Sequence, residues 1–159
     1  MAFEKDWRVW LKAYAPIVLW IGVILMLGSP GGSMTETSKL IGPIIHFFWP
    51  NISAENELIV HYYVRKAAHF TEYGILAILT IRAMLIPGAG RAVMRFLPAI
   101  ALVLLIASID EFHQSFEPSR TASIYDVALD LTGGVTATIA AWLYLRSSRV
   151  QRLRGPASE

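Results

Sequence analysis

The chain has 159 residues, of which 55% are hydrophobic and 16% charged, and its formal net charge at pH 7 is +2. This composition is too apolar for an ordinary water-soluble domain and is typical of an integral membrane protein. The absence of cysteine excludes disulfide bonds, a thiolate nucleophile and a cysteine-ligated metal.

The first predicted membrane span runs from about residue 14 to 28. Trp10 and Tyr14 stand where interfacial aromatic residues belong, and Lys12 can snorkel to the headgroups. A cleaved signal peptide is the alternative, since a basic start and a short apolar core also fit one. Because Leu27-Gly-Ser29 lacks the A-x-A pattern of a cleavage site, an uncleaved span is favoured.

A short amphipathic helix is predicted in the outer segment that follows Ser29-Pro-Gly-Gly-Ser33. Apolar residues recur there at helical spacing: Ile41, Ile44, Ile45, Phe48 and Trp49. We expect Pro43 and Pro50 to limit the length of this helix. It would lie on the outer membrane interface, or form a lid over the polar residues described below.

Three further spans are predicted from the apolar stretches in the rest of the chain. They cover about residues 62–86, 96–114 and 123–145. We therefore expect an all-α protein, an integral membrane four-helix bundle in which residues 1–145 form a single domain. The basic tail, 146–159, is predicted to be disordered.

Basic residues indicate the orientation of the spans. They cluster before the first span, between the second and third, and after the fourth: Lys5, Arg8, Lys12, Arg82, Arg91, Arg95, Arg146, Arg149, Arg152 and Arg154. In a four-span topology these clusters share one side, which the positive-inside rule makes cytoplasmic. Both termini are therefore predicted to be cytoplasmic. The basic tail is interpreted as an anchor on anionic lipid, and no nucleic-acid partner is expected.

Polar residues in three of the spans fall on narrow helical faces at the same outer depth. They are Lys66, His69, Glu72 and Tyr73 on the second span, Asp110, Glu111 and Gln114 on the third, and Asp126 and Asp130 on the fourth. Charged groups at membrane depth cost ~2.5–3.5 kcal/mol each on insertion scales, so they usually face a partner, a cavity or a ligand. The pattern predicts one polar site roofed by the outer leaflet.

The acidic excess of this site makes a bound divalent cation possible, although no cofactor is predicted. Candidate metal ligands are His69, Glu72, Asp110, Glu111 and His113. The spacings His-x-x-Glu and Glu-x-His are weak signals. The alternative for any one of these residues is an ion pair that only holds the bundle together. His46, His61 and His113 are each expected to have no special role.

Two motifs resemble those of VanZ-like proteins. The first is Lys66-Ala-Ala-His69-Phe-Thr-Glu72-Tyr73, and the second runs from Asp110-Glu111-Phe-His-Gln114 through Phe116-Glu-Pro118-Ser-Arg120 to Ser123-Ile-Tyr-Asp126. The site predicted from them and from the helical faces comprises Lys66, His69, Glu72, Tyr73, Asp110, Glu111, Gln114, Arg120, Ser123, Asp126 and Asp130. Asp130 stands where the family usually has Asn, and Ser119 where Gly is common.

The resemblance implies a small bacterial inner-membrane protein of a family linked by name to teicoplanin resistance. The first hypothesis is binding or handling of an envelope amphiphile, a phospholipid or a lipid-linked saccharide, with Lys66 and Arg120 on its phosphate or carboxylate. The second is an intramembrane hydrolase or transferase that uses His69, oriented by Glu72, as base, and Asp110 or Glu111 as acid. The third is proton- or cation-coupled transport, which four spans could support only as an oligomer.

Overall fold

The computed structural model describes the backbone of residues 2–29, 34–85, 96–116 and 123–154, and the side chains of 7–29, 36–85, 96–116 and 123–147. This part of the chain contains five α-helices and no strand. They are α1 (Ala2–Gly28), α2 (Met34–Phe48), α3 (Ala54–Leu85), α4 (Phe96–Gln114) and α5 (Ile124–Arg154). The predicted all-α class is confirmed, and so is a short helix between the first two predicted spans.

Three of the described helices are long and apolar enough to cross a membrane. The qualifying segments are Trp7–Gly28, Phe96–Gln114 and Ile124–Ser147. The described part of α3 does not qualify, because His69, Glu72 and Arg82 interrupt its apolar stretch. The predicted spans in α1, α4 and α5 are therefore supported, and the role of α3 as a fourth span stays a prediction.

α3 is the helix against which the other described helices pack. It contacts α1, α2, α4 and α5, and its contact with α5 is the most extensive. Leu76 and Ala77 of α3 share a buried apolar core with Ile24 of α1 and with Val103 and Ala107 of α4. The Trp20 indole of α1 also donates a hydrogen bond of 2.9 Å to the backbone carbonyl of Glu72. The polar residues of α3 are thereby held close to three neighbouring helices.

Glycines allow α5 to approach α3 and α4 closely. A Cβ built on Gly133 would overlap the carbonyl oxygen of Phe70 in α3. A Cβ built on Gly134 would lie only 2.8 Å from Cγ1 of Val103 in α4. Small residues permit such approach between membrane helices, and the approach brings side chains from facing helices within reach of one another.

Several helices are longer than predicted. α3 begins at Ala54 because Ser53 caps it, its Oγ accepting a hydrogen bond of 3.3 Å from the Asn56 amide. Pro43 lies inside α2, so the expectation that it limits this helix is wrong. The burial of Ile45, which is 4% exposed, keeps the turn after the proline packed in place. Pro50 follows the end of α2, as expected, whereas Trp49, predicted on the apolar face of the helix, is the first residue after it.

The predicted disorder of the basic tail is wrong for residues 146–154, because α5 continues to Arg154. Basic side chains are favoured near a helix C-terminus, where they interact with the negative end of the helix dipole. The rest of the tail, 155–159, lies outside the described residues. So do residues 30–33 of the Ser29-Pro-Gly-Gly-Ser33 stretch and the connection between α3 and α4.

Candidate functional site

Two charged contacts join α3 to α5. The Lys66 ammonium donates a hydrogen bond to Oδ1 of Asp126 and forms a salt bridge with it, and both side chains are half-buried. About one turn further along both helices, Nδ1 of His69 lies 3.5 Å from Oδ1 of Asp130, without hydrogen-bond geometry. Asp130 is only 1% exposed. The structure thus brings together the polar faces predicted for the second and fourth spans.

The carboxylate of Asp110 joins α3 to α4. One of its oxygens, Oδ2, accepts hydrogen bonds from the Tyr73 hydroxyl at 3.3 Å and from the Gln114 amide at 2.9 Å. Tyr73 is 0% and Asp110 2% exposed. A Cβ on Gly28 would overlap the other oxygen of Asp110, so the glycine that ends α1 leaves space for this carboxylate. Sequence analysis missed Gly28, although a glycine at the end of an apolar span was visible.

Glu111 has a different partner. Its Oε1 accepts a hydrogen bond from the backbone amide of Ser123, immediately before α5. The Ser123 hydroxyl in turn accepts a hydrogen bond from the Tyr125 amide at 3.2 Å. A carboxylate at a helix N-terminus is favoured by the unpaired amides and the dipole there. These two predicted site residues therefore fix the start of α5 against the end of α4.

A cleft of about 220 Å³ opens on another side of α3, between this helix, α2 and the end of α1. It is lined by Leu27, Gly28, Thr37, Ile41, Val64, Arg65, Ala68, His69 and Glu72. We use the term polar cluster for the group comprising Lys66, His69, Tyr73, Asp110, Gln114, Asp126 and Asp130. Because His69 belongs to both, the cleft and the polar cluster adjoin.

The remaining predicted residues are not gathered in the same way. His113 is exposed at the end of α4, and Arg120 lies outside the described residues together with Ser119. Nδ1 of His69 lies against Asp130, and the pairing of His69 with Glu72 in the catalytic hypothesis stays a prediction. Within the described ranges, no three histidine or acidic side chains are grouped closely enough to hold a metal ion. The described geometry therefore gives no support to the metal ligand set suggested by the sequence.

Sequence analysis also missed a contact between α2 and α3. Glu57 lies between two histidines, its Oε2 3.3 Å from Nε2 of His46 and its Oε1 3.7 Å from Nε2 of His61. His61 is 2% exposed. The i, i+4 spacing of Glu57 and His61 was a usable signal, but the contribution from α2 was not visible in the sequence.

Comparison with known proteins identifies the family. The family model described as VanZ/LLP1 matches residues 13–145, a range that includes both motifs. No curated protein and no solved structure matches the chain. The resemblance deduced from the two motifs is confirmed by the family match: the chain belongs to the VanZ/LLP1 family.

Proposed function

We propose that this protein binds an envelope amphiphile, a phospholipid or a lipid-linked saccharide, with the polar head of the ligand in the cleft. The observation that carries the proposal is the position of His69, which lines the cleft on one side and meets Asp130 of the polar cluster on the other. In this way a polar site adjoins a space large enough for part of a headgroup. A contribution to teicoplanin resistance, which the family name suggests, would act through such a ligand.

The proposal places α3 across the bacterial inner membrane as a fourth span. α3 has 32 residues and is therefore ~48 Å long, longer than the ~30 Å hydrocarbon core. Its packing against all three apolar spans supports a transmembrane position for its central turns. Lys12, Arg82 and Arg146 then lie near the cytoplasmic side, and the cleft lies at the depth of the outer leaflet.

The walls of the cleft suit an amphiphile. Leu27, Ile41 and Val64 present apolar side chains, whereas His69 and Glu72 present polar groups on the α3 wall. Binding sites of this kind combine mostly apolar walls with a few polar groups that fix the orientation of the ligand. α2 also carries exposed aromatic side chains at its end, as expected of a helix at the membrane interface.

The polar cluster would hold its charged groups in place before a ligand arrives. Lys66 is already bound to Asp126, so it can reach a ligand phosphate only by exchanging one anion for another. Such an exchange would involve less desolvation than the transfer of a solvated ammonium group, because Lys66 is already half-buried before a ligand binds. The proposed contribution of Arg120 to headgroup binding concerns a residue outside the described ranges.

Two adjacent alanines provide a matched test of the cleft. Ala67 and Ala68 are both exposed on α3, but only Ala68 lines the cleft. Ala68→Trp should fill the cleft and lower crosslinking by about tenfold or more, the effect of losing ~1.4 kcal/mol of binding. Ala67→Trp should crosslink like the wild type. The measurement uses proteoliposomes with a phospholipid carrying a photoactivatable headgroup, and mass spectrometry of crosslinked α2 peptides. Wild-type crosslinking by a folded Ala68→Trp protein would refute the proposal.

An intramembrane hydrolase or transferase is the second candidate, favoured by the contact between His69 and Asp130. His69 lines the cleft and has a buried carboxylate 3.5 Å behind it, an arrangement that suits a general base and its orienting group. In this function His69→Gln and Asp130→Asn would stop turnover while the lipid stays bound. Intact lipid after prolonged incubation with the purified wild type would count against the enzyme and leave binding as the function.

A further inference from the structure

We infer that the cleft selects an amphiphile whose headgroup carries a phosphate or carboxylate, and that Arg65 binds this anion. The inference rests on the proposed function and adds the charge of the ligand and a residue outside the site predicted from the sequence. The supporting observations are the position of Arg65 on the cleft wall, the lack of a counterion for its guanidinium group within the described residues, and the distribution of charge along α3.

Within the described residues Arg65 has no counterion, which distinguishes it from its basic neighbours on α3. Lys66 is paired with Asp126, and His69 faces Asp130. Arg65 is half-buried and lines the cleft, and it forms no hydrogen bond or ion pair with any residue in the described ranges. A cation at membrane depth normally faces a partner, a cavity or a ligand. For Arg65 the described surroundings offer the cavity, so an anion in the cleft would serve as its partner.

The spacing of residues on α3 gives the orientation of the ligand. Arg65, Ala68, His69 and Glu72 follow one another at i, i+3, i+4 and i+7 and so form one stripe along the cleft. Glu72 lies seven positions after Arg65, which corresponds to ~10 Å along the helix axis. Since Glu72 would repel a second anion, the headgroup should place its negative group at the Arg65 end. Its hydroxyl or amine groups would then lie toward Glu72.

Arginine suits this task better than lysine. Its planar guanidinium offers several N–H donors in a fixed fork that matches two oxygens of a phosphate or carboxylate at once. The adjacent apolar wall, formed in part by Val64 and Ile41, would accommodate the first carbons of an acyl or prenyl chain. An anion attached to an apolar chain satisfies both parts of the cleft, whereas a zwitterionic lipid adds a cation that Arg65 repels.

The test compares Arg65 with another arginine of the same helix. Full-length protein is placed in nanodiscs of phosphatidylcholine containing a small fraction of phosphatidylglycerol, and native mass spectrometry counts the lipids retained on release. Wild type should retain phosphatidylglycerol preferentially. Arg65→Gln should reduce this preference about tenfold or more, because a charge-assisted bidentate contact is lost. Arg82→Gln, an exposed position in the last turn of α3, should leave it unchanged.

Arg65→Lys separates the effect of the positive charge from the effect of the planar guanidinium fork. This variant keeps the positive charge without the planar fork, so its preference for phosphatidylglycerol should lie between those of wild type and Arg65→Gln. Equal loss in the Lys and Gln variants, with unchanged elution on size exclusion, would still support recognition by the fork. An unchanged preference in Arg65→Gln would overturn the assignment of Arg65.

Two further measurements identify the source of the anion and distinguish a wrong inference about Arg65 from a wrong proposed function. Inorganic phosphate at millimolar concentration should not displace phosphatidylglycerol from the wild type, and displacement would show that the cleft takes a free anion. The Ala68→Trp variant should retain neither lipid. If Ala68→Trp loses lipid and Arg65→Gln behaves like wild type, only the inference about Arg65 is wrong. If Ala68→Trp retains lipid, the proposed function is wrong as well.

Discussion

Gly133 lies where α5 packs directly against the backbone of α3. The atoms that its missing side chain leaves room for are the carbonyl group and Cα of Phe70, which are main-chain atoms and cannot rotate away. Gly74, on the opposite helix, has more space, because a Cβ there would lie 3.5 Å from the Gly133 carbonyl oxygen. The close approach of the two helices therefore depends on one glycine more than on the other.

Gly133→Ala should destabilise the protein by ~1–3 kcal/mol, the usual cost of forcing an added methyl group into a packed interface. Gly74→Ala and Gly22→Ala are the controls. A Cβ at Gly22 meets nothing within 4 Å, and alanine is favoured over glycine inside a helix by ~0.5–1 kcal/mol. Thermal unfolding in detergent measures all three. Equal melting temperatures for Gly133→Ala and wild type would show that the helices can separate without cost.

At the residue scale, the sequence predicted which side chains share a face but not all of their partners. The wheel positions of Lys66 and Asp126 correctly placed both on the faces where α3 and α5 meet. They could not show that Nδ1 of His69 lies against Asp130, because a helical wheel fixes the direction of a side chain and not the distance to the next helix. The helical wheel also could not show the partner of Glu111, because this partner is a backbone amide.

α2 is the least extensively packed of the described helices, and it forms a wall of the cleft. It packs on α3 alone, apart from weaker contacts. Ile45 and the contact of His46 with Glu57 hold its C-terminal half, while Thr37 and Ile41 line the cleft. The attachment of α2 should therefore control how open the cleft is.

Glu57→Gln should loosen α2, because the amide cannot attract two imidazole rings as the carboxylate does. Hydrogen exchange of the α2 amides, measured by mass spectrometry, should become faster, while exchange in α4 and α5 should not change. The matched control is Glu55→Gln, since Glu55 lies in the same turn of α3 but is exposed. Slow exchange of α2 in the Glu57 variant would show that apolar packing alone holds this helix.

At the scale of elements, periodicity predicted the helices better than their ends. The apolar stretches located the apolar segments of α4 and α5 within two residues at each end, whereas that of α1 begins about seven residues earlier than predicted. The polar beginning of α3, including Glu55 and Glu57, has no strong hydropathy signal, and its helical state depends on the Ser53 cap and on packing against α2. The prediction that Pro43 limits the length of α2 overestimated the effect of this proline, because the helix continues past it while packed on α3.

The orientation of the whole molecule follows from the proposed four-span topology. The turn between α2 and α3, around Asn51, should face the periplasm, and the end of α5 near Ser147 should face the interior of the cell. Asn51 and Ser147 are exposed, so both positions can be labelled without opening the structure. The natural chain has no cysteine, so a single introduced thiol is the only one that a maleimide can modify.

Asn51→Cys should react with a membrane-impermeant maleimide added to intact spheroplasts, and Ser147→Cys should react only after the membrane is permeabilised. Gel shift of the purified protein measures the extent of labelling. Labelling of both positions from one side would mean that α3 does not cross the membrane. The cleft would then lie at a different depth from the one proposed.

The contact between Lys66 and Asp126 joins residues 60 positions apart, so the two partners are synthesised at different times. During synthesis α3 leaves the ribosome before α5, so in the proposed four-span topology its basic groups would enter the bilayer while their acidic counterparts are still untranslated. α5 then supplies Asp126 and Asp130, whose carboxylates would neutralise the basic groups of α3 and stabilise its inserted position. A nascent polypeptide halted before this point would keep an ammonium group without its carboxylate at membrane depth, a cost of ~2.5–3.5 kcal/mol on insertion scales.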